Sequence, residues 1–207
     1  MTQGCKSPQE TATRITPIVN TIFNSCSYVI VSGGKTWLVD CGDVDRILPL
    51  IHDGLSGVLL THAHFDHIYG LNLLLTMYPD VTVYTNEAGL EGLSSDKLNF
   101  SRYHEEPFIF DFPHNVSLVD DGQMLDLSDV LKAKAVYTPG HGPDCVTWVI
   151  GDAVFSGDSL IPGVKTVTNL PLSDKALAAQ SESLIRDLAV NRTIYPGHHK
   201  YDNNFIL

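Results

Sequence analysis

The residues that most constrain this chain stand in one run, Leu60-Thr61-His62-Ala63-His64-Phe65-Asp66-His67. Before it comes a continuous apolar stretch, residues 57–61, which reads as a strand buried on both faces. After it, Ile68, Leu71, Leu75 and Tyr78 recur at helical spacing until Pro79 ends the pattern. With nine histidines in 207 residues, an H-x-H-x-D-H run arises by chance on the order of once in a thousand such chains. His62 and His64 alternate along extended backbone and project to one side, while Asp66 and His67 open the helix and turn toward the same cleft. Three imidazoles and a carboxylate so close together suit a borderline divalent cation, zinc first and iron or manganese next. The alternative is a solvated turn in which Asp66 caps the helix.

Three later segments repeat one grammar, an apolar strand, a glycine turn and a candidate ligand. They end in Thr138-Pro139-Gly140-His141, Phe155-Ser156-Gly157-Asp158 and Tyr195-Pro196-Gly197-His198. Glycine permits a sharp turn at a strand end, and ligands carried there share one rim. Together the segments offer His62, His64, His67, His141, His198, Asp66 and Asp158. Such a set exceeds a closed four-ligand structural zinc site. Shared between two metals, with one carboxylate bridging, it leaves coordination open for water and substrate, which argues for hydrolysis. Ser156 and Ser159 read as turn residues. His104 and His199 read as solvated, with substrate contact as the alternative.

Composition narrows the function classes. The formal charge is −11 and apolar residues make up 43%, so the chain is globular and a poor match to nucleic acid. No apolar run approaches the length of a membrane span. Cys26, Cys41 and Cys145 sit beside strand-like residues and read as small buried hydrophobes, and Cys5 has no nearby partner. Together with a polar N-terminus unlike a secretory signal, this predicts a reducing, cytoplasmic compartment.

Residues 1–14 read as a flexible polar arm and 15–207 as a single domain. Within that domain, 26–31 and 36–39 form a hairpin across Ser32-Gly33-Gly34-Lys35. Asp43 starts a short helix to residue 51, and 68–78 forms a clear one. A further strand covers 81–85, and 86–112 is irregular. Strands follow at 116–119, 124–127, 130–138, 145–150, 153–155 and 193–195, with a helix at 174–189 burying Leu177, Leu184 and Leu188. Hairpins among the strands argue against a doubly wound parallel sheet and for two mixed sheets packed face to face, with helices outside.

These motifs, in order, resemble the metallo-β-lactamase fold hydrolases. Leu38-Val39-Asp40-Cys41-Gly42 is similar to the family's first loop, T-H-A-H-F-D-H to its signature, and T-P-G-H, F-S-G-D and Y-P-G-H to its later motifs. The resemblance covers most of the chain and implies an α/β fold, the four-layer αββα sandwich. It also implies two divalent metal ions, with His62, His64 and His141 on the first, Asp66, His67 and His198 on the second, and Asp158 bridging. Asp40 would orient the ligand loop from behind. The implied reaction is metal-dependent hydrolysis of a small thioester, ester or lactone, with Asp66 orienting a metal-bound hydroxide.

Within the superfamily the likeness is to the glyoxalase II-like group. Asp158 stands where several β-lactamases carry Cys or His, and His64 where flavodiiron proteins carry Glu. Nine residues follow His198, so the expectation is a small member without the C-terminal glutathione-binding domain. Residues 163–171 replace a G-R-T-D motif, leaving Lys165 as a candidate substrate contact with a plain exposed lysine as the other reading, and Gly142-Pro143-Asp144-Cys145 replaces T-x-G-S. The alternative of another class is a mononuclear iron oxygenase similar to persulfide dioxygenases, using His62, His141 and Asp158. The expected partner is a small acyl molecule, not nucleic acid or membrane; the sequence leaves the oligomeric state open.

Overall fold

The hairpin at Gly33-Gly34 joins β2 (Cys26–Ser32) to β3 (Lys35–Val39), and it anchors one of two mixed sheets. The computed structural model describes residues 12–199. The first sheet runs in the order β1 (Arg14–Val19), β2, β3, β4 (Gly57–Leu59), β5 (Val83–Thr85) and β6 (Val116–Leu118). Its first three strands are antiparallel, and β3 to β6 are parallel. The second sheet runs β11 (Thr193–Pro196), β10 (Ala153–Gly157), β9 (Val146–Ile150), β8 (Leu131–Tyr137) and β7 (Met124–Ser128), antiparallel except between β10 and β11.

Strand alternation sends every second side chain inward, and the inward sets meet in one core between the sheets. Tyr28, Ile30, Trp37, Val39 and Leu59 face Ala133, Ala135, Val146, Trp148, Ile150 and Phe155. Two indoles stitch this core to backbone, Trp148 Nε1 donating to Leu60 O and Trp37 Nε1 to Leu127 O, each at 2.8 Å. The other face of the first sheet, including Val29, Leu38 and Val58, packs on α1 (Val44–Ile47), α2 (Phe65–Ile68), α3 (Leu71–Met77) and α4 (Glu87–Leu93). Beyond the second sheet, Val154 packs on Ile185 of α5 (Lys175–Leu188). The layers are therefore helix, sheet, sheet, helix.

Several expectations are corrected. Strand β1 begins at Arg14, one residue inside the stretch read as an arm; residues 1–11, Cys5 among them, lie outside the described residues. The helix expected over 68–78 is broken at Gly70, whose amide donates to Cys41 O and where a Cβ would collide with Gly42 O. Asp43 makes no side-chain cap; its carboxylate instead accepts from Thr21 N, Thr21 Oγ1 and Tyr69 Oη. Residues 86–112 contain α4, capped by Asn86, whose side chain accepts from Gly89 N. On α5 the buried residues are Ala178, Ser181 and Ile185, while Leu177 and Leu184 are each 40% exposed. The Ala178 backbone comes so close to Gly140 that a Cβ on that glycine would overlap it, Ser181 Oγ donates to Pro139 O, and Ile185 packs on Val154 and Leu160, which together set the face that turns inward.

Among the described residues no helix is long and apolar enough to cross a membrane. Cys26, Cys41 and Cys145 are free and buried. Burial pushes the Cys26 thiol up to about 11 and raises those of Cys41 and Cys145. At pH 8 Cys26 is therefore thiolate in only about one molecule per thousand, and reactivity rises only as the pH climbs toward 11. Native protein treated with iodoacetamide at pH 8 should keep all three unmodified, and protein in guanidinium should lose all three, as read by peptide mass mapping.

Candidate metal centre

Four strands deliver the candidate ligands to one end of the sandwich. The chain leaves β4 through Leu60 and Thr61 to His62, β8 to His141, β10 to Asp158, and β11 to His198. The two sheets are joined at this end by Val146 N donating to Thr61 O at 2.7 Å. His64 stands in extended conformation immediately before α2, and Asp66 and His67 occupy its first turn. The turn after β11 requires a glycine, because a Cβ on Gly197 would overlap Asp158 Oδ1.

The ligand atoms converge in three overlapping groups, each with its atoms within 4.8 Å of one another: His62, His64 and His141; His62, His67 and Asp158; and Asp66, His67 and His198. All seven residues from the sequence are therefore in one cluster. His141 Nε2 lies 3.0 Å from His64 Nδ1, and His67 Nε2 lies 3.4 Å from His198 Nε2. The Asp158 carboxylate stands between both sets. Its Oδ1 is 3.5 Å from His67 Nε2, and its Oδ2 is 3.2 Å from His198 Nε2 and 3.6 Å from His141 Nε2. Asp66 Oδ2 is 3.3 Å from His198 Nε2 and 3.4 Å from His67 Nε2.

Four of the five imidazoles are aimed by what their other nitrogen does. His62 Nδ1 donates to Thr61 Oγ1 at 3.1 Å, His67 Nδ1 to Asp40 Oδ2 at 3.0 Å, His141 Nδ1 to Val167 O at 3.0 Å, and His198 Nδ1 to Phe23 O at 2.9 Å. Each bond engages Nδ1 on the outside and turns Nε2 inward, the orientation that metal-binding histidines require. Thr61 is itself fixed, since its N and Oγ1 both donate to Asp40 at 2.7 Å. One buried carboxylate thus orients two of the imidazoles.

Electrostatics fit a cation. Burial, reinforced by neighbouring imidazoles, lowers His62 well below its ordinary value and His64 to about 4, which keeps both neutral with lone pairs available. Burial works against the charged form of His67 too, but Asp66, Asp40 and Asp158 outweigh it and lift it to about 10. Burial would raise Asp158, but His198, His67 and His141 hold it well below the usual carboxylate range. The carboxylates that hold a proton on His67 would equally hold a divalent ion. Among the described residues, His62 Nε2 and Asp158 Oδ1 are buried side-chain atoms without a hydrogen-bond partner, an arrangement that metal coordination would satisfy.

Some contributors left little or no signal in the sequence. Asp144 is buried, and its Oδ2 accepts from Ala63 N, between His62 and His64, at 2.7 Å; its only signal was the unusual Gly142-Pro143-Asp144-Cys145. The Phe23 and Val167 carbonyls gave none. Lys165 is exposed and stands outside the ligand groups. Ser159 is a buried structural residue, donating to Thr138 O at 2.8 Å.

Comparison with known proteins is consistent across the chain. A family model described as the metallo-beta-lactamase superfamily matches residues 21–198. An atrochrysone carboxyl ACP thioesterase, nsrC, of Aspergillus novofumigatus is 29% identical over 68% of this chain and 40% of its own length. A hydroxyacylglutathione hydrolase of Xylella fastidiosa is 29% identical over 71% of this chain and 49% of its own. The chain thus spans half or less of the length of these relatives. The probable metallo-hydrolase YqgX of Bacillus subtilis is 29% identical over 83% of this chain and 80% of its own length.

Among solved structures, the BLEG-1 B3 metallo-beta-lactamase superposes with a TM-score of 0.78 at 25% identity, covering 90% of this chain and 92% of that one. TTHA1623 in a di-iron-bound form gives 0.76 at 26%, covering 89% and 92%.

The dependence on Asp40 can be measured. Asp40→Asn should weaken zinc binding about 10–100-fold, read by competition with a chromogenic chelator, with the far-ultraviolet circular dichroism retained.

Proposed function

The chain belongs to the metallo-β-lactamase superfamily, and on that premise we propose that it is a dinuclear metal-dependent hydrolase of a small acyl compound, a thioester or lactone. The observation that carries this reading is the position of Asp158 between two sets of inward-facing nitrogens, with one oxygen toward His67 and the other toward His141 and His198. His62, His64 and His141 would hold one cation, Asp66, His67 and His198 a second, and Asp158 would be shared. Zinc suits this donor set first; the di-iron form of a structural relative keeps iron in view. Bound there, divalent ions would acidify water and polarise an acyl oxygen.

The residues supply the rest. Asp66, whose Oδ2 borders both His67 and His198, would accept a hydrogen bond from the attacking water and hold it toward the acyl carbon. A C–O bond forms as the C–S or lactone C–O bond breaks, and the leaving thiolate or alkoxide takes up the proton that the attacking water gives up. The rings aimed by Asp40, Thr61, Val167 and Phe23 keep the centre organised before substrate arrives, so little reorganisation is needed. The names of the thioesterase and hydroxyacylglutathione hydrolase relatives support a thioester in particular.

Zinc- or iron-loaded protein should hydrolyse S-lactoylglutathione, an N-acetylcysteamine thioester or a homoserine lactone, and Asp158→Ala should lower kcat/KM more than about 100-fold. Full activity in that variant excludes the shared carboxylate. Oxygen uptake with a persulfide, one iron per chain and no acyl cleavage would replace this reading with a mononuclear oxygenase using His62, His141 and Asp158.

A further inference from the structure

Six non-glycine residues among those described have left-handed backbone, and two of them are phenylalanines, Phe23 at φ 51° and Phe100 at φ 63°. A bulky side chain is unfavourable in that region, so it persists where the surroundings impose it. Both phenylalanines touch the metal centre. Phe23 O accepts from His198 Nδ1, and the Phe100 ring packs edge-on to His64 with centroids 4.8 Å apart.

The Phe23 carbonyl explains the strained backbone but not the side chain. The residue is 52% exposed beside a charged centre, where a polar residue that tolerates left-handed backbone, such as asparagine, would satisfy the same geometry. The ring continues a row of flat groups. Phe23 stands 6.1 Å from His104, and His104 stands 4.3 Å from Phe65, the first residue of α2. The row therefore spans from the His198 side of the centre to the helix that carries Asp66 and His67.

Charge along this wall is one-sided. Between residues 100 and 106 the one lysine or arginine is Arg102, which donates to Asp96 at 2.9 Å, while Glu105 and Glu106 are exposed. Among the described residues, the 100–106 side of this wall thus offers aromatic surface with its one cation engaged by Asp96.

We propose that Phe23, His104 and Phe65 form the specificity surface of the centre, and that the compound cleaved carries an aryl group that lies against the exposed face of Phe23. This rests on the reading of the centre as an acyl hydrolase. The aryl ring stacks on Phe23 while the acyl carbon reaches the ligand cluster on the other side of His198. The gain from one such aromatic contact is a few-fold to about tenfold.

The experiment compares phenylacetyl and acetyl thioesters of N-acetylcysteamine on metal-loaded protein, with Phe23→Gly and Phe23→Trp. Glycine keeps the left-handed backbone, and so the carbonyl on His198, while removing the ring. The wild-type ratio of phenylacetyl to acetyl kcat/KM should fall about tenfold in Phe23→Gly, mainly through KM, and recover in Phe23→Trp. A loss of backbone support alone would lower both thioesters equally and leave the ratio unmoved, which overturns the proposal. If the wild type cleaves neither compound, the acyl-hydrolase reading fails, and the wall is judged by phenylacetate binding in saturation-transfer NMR. Binding that weakens about tenfold in Phe23→Gly supports the surface; no binding, or equal binding in the variant, overturns it.

Discussion

A single buried carboxylate, Asp40, holds the working end of this molecule together. It leaves β3 in left-handed backbone at φ 54° and is 1% exposed. Burial raises its carboxyl above the ordinary range, and bonds from His67 and from the Thr61 side chain and amide oppose that rise. Charge-assisted hydrogen bonds of this kind are strong only while every partner is present. Through them the ends of β3 and β4 and the first turn of α2 become one rigid unit. His67 is aimed directly, and His62 through Thr61. Replacing any partner would leave a buried charge or donor unsatisfied, so orientation of the imidazoles and stability of this end are the same interaction.

The rest of the architecture brings the remaining groups to that unit. The inter-sheet core sets the spacing between β4 and the strands β8 and β10, and Trp148 ties it to Leu60, two residues before His62. Loops contribute through their backbone: Phe23 and Val167 lie in different segments, yet each offers one carbonyl to one imidazole. Asp144 fixes the chain between His62 and His64. The centre is thus prepared by bonds that run outward from four of its five imidazoles, and the strained backbone at Asp40, Phe23 and Phe100 collects around it.

The cluster was legible in the sequence because its ligands are rare residue types at fixed offsets from strand ends. H-x-H-x-D-H and the three glycine turns carry their chemistry in one-letter form, and the hairpin pattern pointed to two mixed sheets. What stayed hidden depends on contacts between distant segments. The break at Gly70 follows from its approach to Gly42, which local periodicity does not contain. Leu177 and Leu184 satisfied a helical period, yet contacts of Ala178 with Gly140, Ser181 with Pro139 and Ile185 with Val154 selected that stripe instead. Asp43 has the composition of a helix cap but is drawn to Thr21 and Tyr69. Backbone carbonyls such as that of Phe23 have no sequence signature, since any residue carries one.

The central claim is that the seven converging side chains form a two-cation centre. Isothermal titration of chelator-stripped protein with zinc, counted in equivalents per chain, tests it most directly. Two equivalents are predicted, falling to one or fewer when Asp158 is replaced by alanine. A wild-type protein that saturates at one equivalent, or takes up none, would contradict the account.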